Sequence, residues 1–352
     1  MSLAELSAHN VRCIERIQLE LHPQRNLVWG LNGSGKTSVL EAIFLLGRGR
    51  SFRTRRSERL IRHGTQRLVS FGRTAGPIET TVGVQVAKGE PTAAKVGGSA
   101  VQSLAELSTV FPVQVIDPGV HKLVEEGSYR RRRWMDWAVF HVEHGFADHW
   151  ARYARALRQR NAALRQQAEQ ASVWDPELAR LGETIAELRR RSLEQLQPIW
   201  REVSRLLLGP EVELVYHQGW NRELTLAEAL RESRDRDQAR GATQSGAHRA
   251  DVAVRLDGVP ARDTLSRGQQ KLVAVAMILA QLRMLRAVCG LRPTLLLDDP
   301  AAELDAPRLE ALISQVAELH CQLVMTSLDP EMRLFGVPDR VFHVERGTAR
   351  QV

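Results

Sequence analysis

Apolar residues recur along the chain in two distinct periods. Leu27, Val28 and Trp29 run together and predict a short buried strand, and Val39, Leu40, Ala42, Ile43 and Leu46 follow at helical spacing. The unbroken run Thr294–Leu297 predicts a strand covered on both faces, as in a parallel sheet. Upstream of it, Leu272, Val273, Val275, Ala276, Ile278, Leu279 and Leu282 predict an apolar helix. In the middle of the chain, Trp150, Tyr153, Ala154, Leu157, Leu164 and Ala168 keep i, i+3, i+4, i+7 spacing, and Leu178, Leu181, Ile185 and Leu188 form a 3-4-3 seam. Ser172-Val173-Trp174 breaks the pattern between them, and Asp175-Pro176 reads as an N-cap followed by N1. The two helices form an antiparallel hairpin whose second arm Pro198 is expected to kink or end. Glu211 to Tyr216 alternates as a strand, and the Gly- and Ala-rich stretch 87–100 reads as a β-hairpin loop. Internal repeats and low-complexity segments are absent from the sequence.

The first strand and helix flank Gly30-Leu31-Asn32-Gly33-Ser34-Gly35-Lys36-Thr37, followed by Ser38, which fits the phosphate-loop pattern G-x-x-x-x-G-K-[ST] in the strand-to-helix context that confirms it. Gly30, Gly33 and Gly35 let main-chain N–H groups close on phosphate oxygens at a helix N-terminus. Lys36 is expected to reach the β- and γ-phosphates of ATP, and the Thr37 hydroxyl to bind Mg²⁺. The run Thr294–Leu297 delivers Asp298 and Asp299 at its C-terminal end, where open α/β sheets bind ligands. Asp298 fits the Walker B carboxylate that holds the metal through water. Asp299 stands where a Glu usually polarises the attacking water, one methylene short.

Leu265-Ser266-Arg267-Gly268-Gln269-Gln270-Lys271 resembles the signature of ABC-type ATPases, which acts on the nucleotide of a partner chain. Ser266, Gly268 and Gln269 would then serve the γ-phosphate of a second copy, with the positive end of the following helix behind them. Two such half-sites imply an ATP-dependent homodimer. Ala301-Ala302-Glu303-Leu304-Asp305 matches the dimer-contacting D-loop.

Taken together, the chain resembles the RecF family of SMC-like ATPases almost end to end. The resemblance includes Asn10 to Ile14, GLNGSGKTSVLEAI from Gly30, GRGRSFRT from Gly47, RRRWMD from Arg131, LRQRNAALR from Leu157, SGAHRADV from Ser245, LSRGQQK, and LLLDDPAAELD. The paired aspartates are themselves a family feature, which favours Asp299 as the water-polarising residue. Two departures stand out: Gly119 and Val120 follow Pro118 where an acid is usual, and Ala247 replaces a proline before His248 and Arg249. The resemblance implies an α/β ABC-type P-loop head with an inserted helical lobe, divided as 1–113 and 270–352 (lobe I) and 114–269 (lobe II). Gln114 takes the Q-loop position that senses Mg²⁺ and γ-phosphate, and Arg12 the place of a nucleotide-contacting arginine. It further implies a weak, DNA-stimulated ATPase switch in recombinational repair and replication restart, acting at gaps and junctions. Recombinase loading, SOS induction, and RecR and RecO as partners follow from the same resemblance.

Composition agrees with a polyanionic partner: 49 Lys and Arg against 41 acids give a net charge of +8. Arg48, Arg50, Arg53, Arg55, Arg56, Arg59 and Arg62 face one acid, Glu58, and Arg130 to Arg133 make a second run. The first five are the candidate DNA contacts. Aromatics make up only 5% of the chain, so backbone-directed duplex binding fits better than base stacking. Cys13, Cys289 and Cys321 have no pairing or metal spacing and read as reduced, buried thiols of a cytoplasmic protein. No run approaches the roughly 20 apolar residues that span a bilayer, and no membrane partner is expected. An architectural SMC-like DNA-bridging ATPase is the second reading, opposed by the short hairpin. A transporter ATPase subunit is the third, opposed by the arginine clusters.

Overall fold

The computed structural model describes residues 2–76, 79–166, 168–300 and 306–352. They divide into two compact units, Met1–Val120 with Gly290–Val352, and His121–Cys289. The borders fall at 120/121 and 289/290, where the sequence suggests 113/114 and 269/270. The helix Arg267–Cys289 accounts for the later border. Its side chains, among them Leu272, Val273, Ala276, Leu279 and Leu282, are buried against the helices Ser128–Val142 and Asp175–Leu208 of the second unit.

Two six-stranded sheets build the first unit. One runs in the order Thr348–Gln351, Arg340–Glu345, Arg25–Trp29, Leu323–Ser327, Thr294–Leu297, Val113–Ile116, parallel throughout except for its first strand. Its central strands carry apolar side chains on both faces, as the unbroken runs predict: all four residues of Thr294–Leu297 are buried. The other sheet is antiparallel, ordered Ile14–Glu20, Ser2–Val11, Arg67–Ala75, Thr80–Ala87, Ala93–Val96, Ser99–Ala100, and includes the expected hairpin at 87–100. The helix Lys36–Arg48 lies in the core that both sheets share, with Val39, Leu40, Ile43 and Leu46 fully buried. Gln322 ties the sheets together. Its amide accepts from Leu3 N–H (2.8 Å) and Thr294 Oγ1 (3.0 Å), and donates to the Leu3 and His22 carbonyls.

The second unit is mainly helical. The hairpin consists of Phe146–Gln166 and Asp175–Leu208, joined by a 3₁₀ turn at Ala168–Trp174. Asp175 does not cap the second arm; its carboxylate accepts from Arg160 Nε at 2.7 Å. Pro198 does not end that arm either. Burial of Trp200, Val203 and Leu207 beyond it, worth about 1.5–3 kcal/mol each, outweighs the roughly 3 kcal/mol cost of an interior proline. The helix Arg267–Cys289 is long and apolar enough to cross a membrane, but most of it is buried in its own unit. A three-stranded sheet, Val259–Pro260, Asp251–Leu256, Val212–His217, completes the unit. The strand Val212–His217 forms its edge, and its alternate carbonyls are taken by side chains: Trp200 Nε1 donates to Val212 O (2.7 Å), Gln197 Nε2 to Leu214 O (2.9 Å), and Arg222 to Tyr216 O.

Two expectations change here. Cys13 and Cys289 are exposed and Cys321 half-buried, since each sits at the end of an element and not on its apolar face. The Arg130–Arg133 run is held within the second unit. Arg131 pairs with Asp251 at 2.8 and 2.9 Å and donates to three carbonyls, Arg130 pairs with Glu126, and Arg132 donates to Ser128 and Ala250.

Candidate functional site

The phosphate loop leaves the parallel sheet at Trp29 and enters the helix Lys36–Arg48 through Gly35. Gly35 is the helix N-cap at φ 119°, and a Cβ there would stand 3.0 Å from Cys13 Sγ. At Gly30 the neighbouring strand comes so close that a Cβ would meet the Val344 carbonyl at 2.2 Å. Glycine at these positions lets the loop fold tightly against the sheet edge. Leu31, Asn32 and Gly33 are exposed, and Ser34, Gly35, Lys36 and Ser38 are buried. No side chain caps the helix and no acid lies in its first turn. The N–H groups of Lys36, Thr37 and Ser38 therefore remain for an anion.

Lys36 Nζ bonds the Gly30 and Leu31 carbonyls at 2.6 and 3.1 Å. Burial pulls its ammonium below the usual range, and the charges of Asp299 and then Asp298 work against that shift. Thr37 Oγ1 donates to Asp298 Oδ1 (3.1 Å) and lies 3.2 Å from Oδ2, so the expected metal pair is assembled across 261 residues. Burial raises the Asp298 carboxyl above the usual range, opposed by hydrogen bonds from Thr326 and Thr37 and by the charge of Arg53.

Thr326 joins both aspartates: its hydroxyl donates to Asp298 Oδ1 at 2.9 Å and accepts from Asp299 N–H at 2.9 Å. Asp299 adopts φ 50°, a left-handed conformation uncommon for a non-glycine residue. Gln114 lies on the strand beside Leu295, buried within the same sheet. Sequence patterns do not single out Thr326; its one signal is its place at the end of the apolar run Leu323–Ser327, beside the strand that carries the aspartates.

Arg12, expected at the nucleotide, makes a two-point pair with Glu41 on the phosphate-loop helix, at 2.9 and 3.1 Å. Glu41 also accepts from Ser51 Oγ at 2.6 Å, and Ser51 Oγ in turn accepts from the N–H groups of Arg53 and Thr54. One buried carboxylate thus anchors the start of the basic segment. Arg53, Arg55 and Arg56 are exposed, whereas Arg48 and Arg50 are half-buried, Arg48 over the Phe44 ring at 5.6 Å. Phe52 packs edge-on against Phe44 and offers no platform to a base.

The signature lies in the second unit. Ser266, Gly268 and Gln269 are exposed at the start of the helix Arg267–Cys289. Gln269 Oε1 accepts from Ser266 N–H (2.9 Å) and Ser266 Oγ from Gln269 N–H (3.3 Å), a reciprocal capping box. The expected D-loop, Ala301 to Asp305, lies outside the described residues.

The donor set fits Mg²⁺ and a triphosphate. Ser34 Oγ is buried with no hydrogen-bond partner among the described residues, and Thr37 and Asp298 offer the oxygen ligands a hard cation takes. No group of three or more His, Cys, Asp or Glu side chains placed to hold a metal occurs among the described residues.

His248 and Arg249, which the sequence marks without assigning them a role, belong to one hydrogen-bond network, His248 half-buried in it and Arg249 at its exposed edge. His248 Nδ1 lies 2.8 Å from Tyr153 Oη and its Nε2 lies 3.1 Å from the Thr243 carbonyl. Burial lowers the His248 pKa to about 4, so the ring is neutral; it donates to Thr243 and accepts from Tyr153.

Fold and site together define an ABC-type P-loop ATPase head with a helical insertion. The profile of the RecF/RecN/SMC N terminal domain matches residues 2–350. The chain is 37% identical over 358 residues to the DNA replication and repair protein RecF of Vibrio atlanticus (strain LGP32), with both chains fully covered. It is 36% identical over 359 residues to that of Cellvibrio japonicus (strain Ueda107), covering 99% of this chain and 98% of the relative. A solved structure of the recombination mediator protein RecF-ATP in the RecFOR pathway superposes with a TM-score of 0.89 at 25% identity, covering 100% of this chain and 97% of that one. An Smc head bound to the C-winged helix domain of ScpA shares the fold, with a TM-score of 0.60 at 14% identity over 100% of this chain and 97% of that one. The chain belongs to the RecF family.

Proposed function

We propose that this protein binds ATP with Mg²⁺ in the first unit, closes into a homodimer through its exposed signature, and in that state holds DNA at gaps and junctions during recombinational repair and replication restart. The observation that carries the reading is the joint placement of Lys36, Thr37, Asp298 and Asp299 at the C-terminal edge of the parallel sheet. Lys36 serves the β- and γ-phosphates, and Thr37 and Asp298 hold the cation. Bound Mg²⁺ supplies positive charge to the terminal phosphates. Asp299 orients the attacking water, and Arg12 and Gln114 line the same head. Ser266, Gly268 and Gln269 reach the partner's nucleotide. Turnover is slow, stimulated by DNA, and works as a switch that supports recombinase loading and SOS induction with RecR and RecO in the cytoplasm. The likeness to RecF-ATP, a recombination mediator of the RecFOR pathway, supports this reading.

Arg48, Arg50, Arg53, Arg55 and Arg56 provide the DNA contacts, neutralising phosphates without reading bases. The test uses Asp299→Asn, which keeps Mg²⁺·ATP bound and stops turnover. Its dimer, measured by sedimentation, accumulates with ATP, and the slope of log K for duplex DNA against log salt steepens. Adding Arg53→Glu, Arg55→Glu and Arg56→Glu flattens that slope and leaves ATP affinity intact. Equal slopes in all four combinations of protein and nucleotide would remove the DNA assignment.

A further inference from the structure

The second unit gathers arginines in a place that no charge run in the sequence marks. Three guanidinium groups converge on the four-residue segment 241–244. Arg165 Nη1 donates to the Gly241 carbonyl at 3.4 Å. Arg240 Nη1 and Arg249 Nη2 both donate to Gln244 Oε1, at 2.9 and 3.2 Å, and Arg249 also reaches the Thr243 carbonyl at 3.2 Å. Every one of these acceptors is a neutral oxygen.

The carboxylate that meets this segment, Asp237, which accepts from Gln244 N–H at 2.8 Å, is already paired. Asp237 is fully buried and accepts from Arg160 at 2.6 Å, and Asp175 takes the Nε of the same arginine. Asp235 is the exposed acid of the short helix Arg234–Arg240, and no ion pair joins it to the cluster among the described residues. Arg158 lies two turns before Arg165 on the same helix face, exposed and paired with no carboxylate among the described residues. Arg236 lies one turn before Arg240, also exposed. Among the described residues the three guanidinium groups are therefore held together on neutral oxygens, with Asp237 already paired to Arg160. Such an arrangement costs repulsion and is relieved by an external anion.

We propose that this arginine-lined face, formed by Arg158, Arg165, Arg236, Arg240 and Arg249 around segment 241–244, is a second contact surface for the phosphate backbone of DNA, separate from the 48–56 cluster. The chemistry of the face selects a nucleic acid over an acidic protein. None of the large exposed apolar side chains among the described residues lies between 146 and 166 or between 231 and 250. A protein partner would need such an anchor, whereas phosphate neutralisation needs none. The fixed network behind the face supports the same end. Arg160 locks Asp237 and Thr243, and Asn161 Oδ1 accepts from Thr243 N–H and its hydroxyl at 2.8 and 2.7 Å, so segment 241–244 is rigidly placed. The positive field reaches inward as well: Arg249 and Arg132 add to the burial that keeps His248 neutral.

This surface goes beyond the DNA assignment of the 48–56 cluster and is tested independently of it. Arg165→Gln, Arg240→Gln and Arg249→Gln in one chain keep hydrogen-bond donors and remove three charges. The salt slope for duplex DNA, read by fluorescence anisotropy, drops by about 3, since each phosphate contact contributes about 0.9. ATP affinity by calorimetry stays at the wild-type value. Because Arg249 borders a buried network, a second variant, Arg158→Gln with Arg236→Gln, uses exposed positions only and lowers the slope by about 2, on the same figure of about 0.9 per contact. A wild-type slope in both variants, with the 53/55/56 variant still flattened, overturns this surface and leaves the first cluster standing. A flattened slope here with none in the 53/55/56 variant upholds this surface and removes the other. Poly-glutamate competing as well as duplex DNA of equal charge would also overturn it, by showing that phosphate is not what the face selects.

Discussion

Arg12 and Glu41 form a two-point ion pair, at 2.9 and 3.1 Å, in which the carboxylate is fully buried and the guanidinium partly exposed. Because Ser51 also donates to Glu41, the pair links the first hairpin, the phosphate-loop helix and the turn that opens the basic segment. Glu41→Ala removes all three links at once. Breaking a buried pair costs about 3–5 kcal/mol; exposure of Arg12 lowers that to roughly 2 kcal/mol. Thermal unfolding should show the loss, and the DNA salt slope should flatten as the 51–54 turn loosens. A variant as stable as wild type, with an unchanged slope, would show that the anchor is idle.

Lys36→Met separates binding from folding. The ammonium is buried and its pKa lowered, so an apolar replacement should leave the melting temperature unchanged or raise it. ATP affinity should drop by tenfold to a hundredfold, in line with about 1.5–3 kcal/mol for a charge-assisted contact. Calorimetry that finds wild-type ATP affinity would contradict the phosphate-loop assignment.

Ser266 has two tasks that substitutions can divide. Ser266→Ala loses the helix cap and about 1 kcal/mol of stability. Ser266→Asp keeps a capping oxygen and should melt near wild type, yet its carboxylate would face a partner's phosphate. Sedimentation with ATP should then find monomers of Ser266→Asp. A normal ATP-dependent dimer of this variant would exclude Ser266 from the partner's site.

Acid should weaken the second unit through His248. Its folded pKa of about 4 lies below the ordinary 6.5, so between those values the unfolded chain binds a proton that the folded chain does not. Stability therefore falls as pH drops from 6.5 to 4, by roughly 3 kcal/mol, and not further below 4. Urea melts across that range should show the decline in wild type and a flatter profile in His248→Gln. Parallel profiles would assign the acid sensitivity to other groups.

What can be read from the sequence follows from distance along the chain. The phosphate loop is a local pattern, and the aspartates end a four-residue apolar run, so both are legible in the order of residues alone. The reciprocal cap of Ser266 and Gln269 is equally local. Thr326 and Glu41 are not legible in this way, because their partners lie on other elements: Asp298 just past the end of the neighbouring strand, Arg12 in the first hairpin. Charge runs mislead for the same reason. Arg131 looks like its neighbours in sequence, yet it is buried against Asp251, 120 residues away, and Arg132 reaches the Ala250 carbonyl beside it. Pro198 misleads because propensity is local, while the burial of Trp200 and Val203 that outweighs it is set by packing.

The side chains laid along the edge strand Val212–His217 have a consequence for life in a crowded cell. A three-stranded sheet with a bare rim could be extended by any unfolded chain nearby, and growth of that kind leads to deposits. Trp200, Gln197 and Arg222 occupy the acceptors such a stranger would need. The long hairpin arm thus acts as a guard rail, and a lesion in it would show first as lost solubility, with nucleotide chemistry untouched.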